Sequence, residues 1–161
     1  MRGRFLAVMM GLASLAFVAG CSSFPRDYAE MSSKPRASKS IAGPWEGEWV
    51  SDGGHRGGLR CLLVESACGS KSGAEAGPAI LPGYEARFEA RFFGIFTGHY
   101  TAMLAMNPSN EEVTHLSGDH DLGTMGGGLY HYEAKVTAEQ FEATYRSNAD
   151  TGVFRMHRPR P

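Results

Sequence analysis

Alternation of apolar and charged residues with a period of two is the feature that most constrains this chain. In the segment YEARFEARF, residues 84–92, every second residue is aromatic or alanine, and every residue between them is glutamate or arginine. Side chains of a β-strand point alternately to its two faces, whereas a helix would scatter the aromatic residues around its axis. The segment therefore predicts a strand with one buried and one solvated face, which is typical of antiparallel sheets.

The same strand pattern continues along the chain from residue 45 onward, where we predict an all-β domain without a helix. Turn residues separate eight predicted strands: residues 45–50, 59–65, 84–92, 99–106, 111–118, 129–136, 140–147 and 152–158. Short antiparallel strands that follow one another in sequence favour a single up-and-down β-barrel, because closure removes the exposed sheet edges. The same pattern also allows a two-sheet β-sandwich, which is the alternative.

The N-terminus has the organisation of an export signal. Two arginines in the first four residues precede an uncharged apolar stretch, residues 5–18, which is short for a membrane-spanning helix. The stretch ends in VAGC, residues 18–21, which resembles the lipobox of bacterial lipoprotein signal peptides. That family implies cleavage before Cys21, lipidation of its sulfur and a stable membrane anchor. In the same family, a serine such as Ser22 after the cysteine implies the outer membrane, with the protein facing the periplasm or the cell surface.

These features divide the chain into three parts. Residues 1–20 form the predicted signal peptide, residues 21–43 the lipidated cysteine with a flexible tether, and residues 44–161 the barrel domain. The tether is predicted because its segment carries Ser, Pro, Lys and Arg but few large apolar side chains. The chain has 16 Lys and Arg residues against 17 Asp and Glu residues, which gives no electrostatic reason to expect nucleic-acid binding.

Two cysteines, Cys61 and Cys68, remain after lipidation of the first. Disulfides persist in exported proteins, and an even number of cysteines there favours a bridge between this pair. The alternative places Cys61 as a buried apolar residue within a strand and Cys68 as a free thiol in a loop.

The first strand resembles the opening of calycin barrels, the group that includes lipocalins, fatty-acid-binding proteins and avidins. The resemblance lies in Gly43-Pro44-Trp45, a Gly-x-Trp sequence. It implies that Trp45 closes one end of the barrel and that a basic residue of the last strand, Arg155 or Arg158, packs across its indole. A guanidinium over an indole face gains about 0.5–2 kcal/mol of cation–π energy.

Aromatic residues on the predicted inward faces form the candidate ligand-binding site. They are Trp45, Trp49, Tyr84, Phe88, Tyr130, Tyr132 and Tyr145. Tyrosines, which have apolar rings and polar tips, suit a small apolar or aromatic ligand. The alternative is that these rings only fill the core, in which case the domain is a structural or protein-interaction module of the envelope.

No motif in the sequence predicts catalysis, a metal ion or a cofactor. The six histidines lack the His-x-His and His-x-x-x-His spacings of metal sites, and no nucleophile motif is present. The segment HLSGDHD, residues 115–121, gathers histidine and aspartate, so an envelope metal-dependent hydrolase is a second alternative. We predict a non-catalytic, lipid-anchored envelope protein whose partners are the membrane and either a small apolar ligand or an envelope protein.

Overall fold

The alternating segments of the sequence form eight antiparallel strands, and these strands close into one barrel. The computed structural model describes residues 23–37, 39–69, 80–108, 112–124 and 127–160; the predicted signal peptide and Cys21 lie outside them. The elements are α1 (Phe24–Ser32), β1 (Gly43–Ser51), β2 (Arg56–Gly69), β3 (Ile80–Phe92), β4 (Phe96–Asn107), β5 (Thr114–Asp121), β6 (Leu129–Val136), β7 (Gln140–Arg146) and β8 (Thr151–His157). Among the described residues, no helix has the length and apolar character that crossing a bilayer requires.

Every strand of the barrel pairs with the strands that precede and follow it in the sequence. The barrel closes because β1 also pairs with β8, with Glu48 opposite Arg155 and Trp49 opposite Phe154. The predicted all-β, up-and-down barrel is therefore confirmed, and the β-sandwich alternative is excluded.

The two faces of β3 show how the sequence pattern divides inside from outside. Ala86, Phe88 and Ala90 are buried in the barrel core, as the alternation predicts. Glu89 belongs to the outer face, yet it is only 5% exposed. The outer face is therefore not solvated along its whole length.

A helix on the outside of the barrel accounts for this burial and corrects the predicted tether. Helix α1 buries Phe24 and Tyr28 against Leu62 of β2, and Met31 packs beside them. The Tyr28 hydroxyl donates a hydrogen bond to the backbone oxygen of Trp45 over 3.2 Å. The prediction of a flexible tether is wrong for Phe24–Ser32. The few large apolar residues of α1 suffice to dock it on the barrel because they lie on one face of the helix.

The predicted disulfide between Cys61 and Cys68 is also wrong. Both cysteines lie on β2, and seven residues of extended strand separate their Cα atoms by about 23 Å. A disulfide needs Cα atoms within about 7 Å. Cys61 is a free, fully buried thiol of the core, and burial raises its pKa well above the ordinary value.

Candidate functional site

One end of the barrel is closed by a tryptophan and an arginine. Trp45 is fully buried, its indole N–H donates to the Ile41 carbonyl oxygen over 3.0 Å, and the Phe141 ring packs edge-on at 5.7 Å. The guanidinium carbon of Arg158 lies 3.6 Å from the centroid of the Trp45 ring. Arg158 also donates hydrogen bonds to four backbone carbonyl oxygens, those of Ser40, Ala42, Pro44 and Ala138.

Burial is the main electrostatic cost at this closed end. Desolvation lowers the pKa of Arg158 to about 10, so the guanidinium remains charged at neutral pH. Carbonyl dipoles and the indole face surround this charge in place of water. Through these hydrogen bonds, Arg158 holds the segment before β1 and the β6–β7 connection against the residues that follow β8.

The other basic residue suggested by the calycin resemblance, Arg155, lies elsewhere. It is exposed on the outer face of β8, in register with Glu48 of β1 and Glu142 of β7. Strand alternation points position 155 outward, whereas Arg158 follows the end of β8 and is free to turn back across the barrel. Arg155 therefore takes no part in closing the barrel.

The opposite end of the barrel, which we term the mouth, contains a cavity of about 550 Å³. Its wall is mainly aromatic, and the rings that line it are Trp49, Phe92, Phe93, Tyr100, Tyr130, Tyr132, Tyr145 and Phe154. Many of these rings touch one another: Tyr130 and Tyr132 stack with centroids 6.2 Å apart, and Tyr145 and Phe154 approach to 5.0 Å. The indole N–H of Trp49 donates to the Arg91 carbonyl oxygen over 3.0 Å, which fixes this ring at the edge of the cavity.

Four of the seven aromatic residues predicted for ligand binding line this cavity: Trp49, Tyr130, Tyr132 and Tyr145. The other three do not line it. Trp45 and Phe88 are buried in the core, and Tyr84 is a half-buried residue packed against that core. The structure thus brings together the residues near the mouth and separates them from the residues deeper in the barrel.

Hydroxyl groups supply the polar part of the cavity. The rings of Tyr100 and Tyr132 stack with centroids 6.5 Å apart, and the Tyr145 hydroxyl donates to Oδ2 of Asp150 over 2.9 Å. Burial raises the pKa of all three tyrosines well above the ordinary value, and the hydrogen bond to Asp150 raises that of Tyr145 further. At neutral pH these groups are uncharged hydroxyls, which both donate and accept hydrogen bonds.

Tyr100 is the main lining residue that the sequence prediction missed. It stacks on Phe88 with ring centroids 4.9 Å apart and faces it directly across the β3–β4 ladder. Directly opposite residues of an antiparallel pair share a face, so the inward position of Phe88 determines that of Tyr100. The register between the two strands, which the sequence alone did not provide, carried this information.

The histidine and aspartate residues of HLSGDHD lie along β5 and do not gather around a turn. Nδ1 of His131, on β6, lies 2.6 Å from an Asp119 carboxylate oxygen, while His120 stacks with Tyr100 at 6.1 Å. Within the part of the chain that the structure describes, no three metal-ligating residues come together.

Comparison with known proteins identified no relative: no protein-family model, curated protein or solved structure matches the chain.

Proposed function

We propose that this protein is a non-catalytic, lipid-anchored lipoprotein of the cell envelope that binds a small apolar or aromatic ligand in a calycin-like barrel. The observation that carries the proposal is the aromatic cavity at the mouth. Its volume of about 550 Å³ falls within the range of roughly 300–1,000 Å³ that small-molecule sites occupy.

The chemistry of the cavity indicates the class of ligand. Aromatic walls favour a flat apolar group, which stacks on rings such as those of Tyr130 and Tyr132. The hydroxyls of Tyr130, Tyr132 and Tyr145 offer hydrogen bonds to a single polar group of that ligand. We therefore expect a small aromatic or apolar molecule with one polar end.

The anchor is supported by the sequence VAGC at residues 18–21, after an apolar stretch and an arginine-containing start. Acyl chains on Cys21 would hold the domain at the membrane, and Ser22 favours the outer membrane. Incorporation of an alkynyl palmitate analogue in a bacterial host tests this part. The wild-type chain should be labelled and Cys21→Ser should not, whereas equal labelling of both would contradict the anchor.

Ligand binding is tested with N-phenyl-1-naphthylamine, an uncharged aromatic probe that fluoresces in apolar surroundings. Leu122 lines the mouth cavity, while Leu129, at the other end of the β5–β6 connection, is 48% exposed and does not line it. Leu122→Trp should fill part of the mouth and raise the Kd for the probe at least about tenfold. This corresponds to a loss of roughly 1.4 kcal/mol of binding free energy. Leu129→Trp is the matched control and should bind like the wild type.

The second candidate is an interaction module with a filled barrel, and the packing below the mouth favours it. Trp45, Phe88 and Phe141 leave little room at the centre and at the closed end. If the wild-type chain binds no probe, and native mass spectrometry finds no co-purifying small molecule, the interaction module is the better explanation.

A further inference from the structure

The hairpin between β3 and β4 presents a continuous apolar tip at the mouth of the barrel. Phe93 is 73% exposed, Ile95 78% and Phe96 60%. Soluble domains seldom expose neighbouring large apolar side chains, and where they do, the patch commonly marks a surface for a partner or a membrane. We use the term apolar tip for Phe93, Ile95 and Phe96.

The backbone of this hairpin is strained in a way that holds a phenylalanine outward. Phe93 has φ of 53° and Gly94 has φ of 72°, and the N–H of Ile95 donates to the Phe92 oxygen over 3.2 Å. A turn with two successive left-handed residues is most easily made by asparagine and glycine. Phe93 is 73% exposed, so its burial offsets little of this strain, and such strain commonly occurs at functional sites.

Helix α1 lies on the outer wall of the barrel, with its N-terminal end nearer to the mouth than its C-terminal end. The Phe24 ring, at the N-terminus of α1, lies 5.8 Å from the ring of His99, which lines the mouth cavity. Tyr28, one turn later, bonds to the backbone of Trp45 at the closed end. The helix therefore runs from the mouth toward the closed end. Cys21 is three residues from Phe24, a separation of at most about 11 Å.

The charges beside the apolar tip suit a membrane surface. Arg91 and Arg56, on the adjacent strands β3 and β2, are exposed at this end, and residues 91–98 contain no acidic residue. Arginine side chains keep their charge at the phosphate level while apolar neighbours enter the lipid. An apolar tip flanked by arginines thus has the composition of an interfacial anchor.

We propose that the mouth end of the barrel docks onto the bilayer that holds the lipid anchor, with the apolar tip inserted into the interfacial region. The inference rests on the proposed lipidation of Cys21. In this orientation the mouth cavity opens toward lipid, and an apolar ligand enters it from the membrane without crossing bulk water. The closed end with Trp45 and Arg158 faces away from the membrane.

The test uses full-length lipidated protein, reconstituted into vesicles of phosphatidylethanolamine and phosphatidylglycerol with brominated acyl chains. Ile95→Trp places an indole on the apolar tip, and Met103→Trp places one on the outer wall of β4, where Met103 is 39% exposed. Both native tryptophans are buried, so subtraction of the wild-type emission isolates the introduced indole. We expect the indole at position 95 to be blue-shifted and quenched about twofold by bromolipid, and the one at position 103 to be unaffected.

Flotation of the vesicles distinguishes failure of the anchor from failure of the docking. Protein that floats without quenching at position 95 would overturn the docking alone. Equal quenching at positions 95 and 103 would overturn the proposed orientation. Photo-crosslinking from position 95 in intact envelopes that gives protein adducts and no lipid adducts would favour a protein partner instead. Failure to float would overturn the lipid anchor and the inference with it.

Discussion

Replacement of Arg158 by methionine tests how the closed end of the barrel is held. Methionine keeps an apolar stem of similar length but removes the guanidinium. The change therefore abolishes the cation–π contact with Trp45 and the hydrogen bonds to four carbonyl oxygens. Arg158 is 8% exposed, so water replaces only part of what is lost.

The expected loss of stability follows from these contacts. The cation–π contact contributes about 1 kcal/mol. If about half of the carbonyl oxygens remain unsatisfied, each costs roughly 1–1.5 kcal/mol. The free energy of unfolding should fall by about 3–4 kcal/mol in all, a large share of the roughly 5–15 kcal/mol that stabilises a typical domain. The melting temperature should then fall by roughly 10–15 °C.

Thermal melting and urea unfolding followed by circular dichroism measure this loss, with Arg155→Met as the matched control. Arg155 is an exposed arginine near the same end of the chain, and its replacement should change stability by less than about 0.5 kcal/mol. Arg158→Lys should fall between the wild type and Arg158→Met, because lysine keeps the charge but lacks the planar fork of donors. Free energies of unfolding of Arg158→Met and Arg155→Met that agree within about 1 kcal/mol would contradict this role of Arg158.

Three further predictions concern other parts of the structure. Phe93→Asn should raise the free energy of unfolding by about 1 kcal/mol, since it relieves a left-handed phenylalanine; a lower melting temperature would contradict this. Phe24→Ala should cost about 3 kcal/mol and make residues 24–32 susceptible to proteolysis, and wild-type protection of that segment would show that α1 docks without this ring. Burial raises the pKa of Glu89, but hydrogen bonds from Arg60 and His99 outweigh it and hold that pKa below its ordinary value. The stability that Glu89 contributes is therefore fully present above its ordinary pKa of 4.5 and is lost as the pH falls from there through the lowered pKa of the folded state. Glu89→Gln should flatten the acid limb of a stability–pH curve, and parallel curves would exclude this role.

The fold could be predicted from sequence because each strand carries its own local signal. β6 occupies residues 129–136, the predicted bounds, since its alternation is complete and turn residues bracket it. β3 extends to Ile80, four residues earlier than predicted, because it continues to pair with β2 as far as Gly69. Such extensions depend on the partner strand, which a local pattern does not contain.

The remaining differences from the sequence prediction arise from docking between distant segments and from where individual strands end. Nothing local to Phe24 or Tyr28 indicates the surface of β2 on which they dock. Arg155 and Arg158 are equally basic, and only the end of β8 and strand alternation decide which one reaches Trp45. Cys61 and Cys68 are close in sequence, yet the length of β2 keeps them far apart.

Helix α1 shortens the stretch of chain between Cys21 and the first residue that docks on the barrel. A flexible tether of about 20 residues would span roughly 25 Å and let the barrel adopt any orientation above the membrane. With α1 docked, at most about 11 Å of chain separates Phe24 from Cys21. If Cys21 carries the proposed acyl chains, the barrel is restricted to orientations that keep the N-terminus of α1 close to the bilayer. Among the described residues, Arg158 closes the far end of the barrel. Under the proposed lipidation of Cys21, the proposed ligand would then enter at the mouth, on the side that faces the membrane.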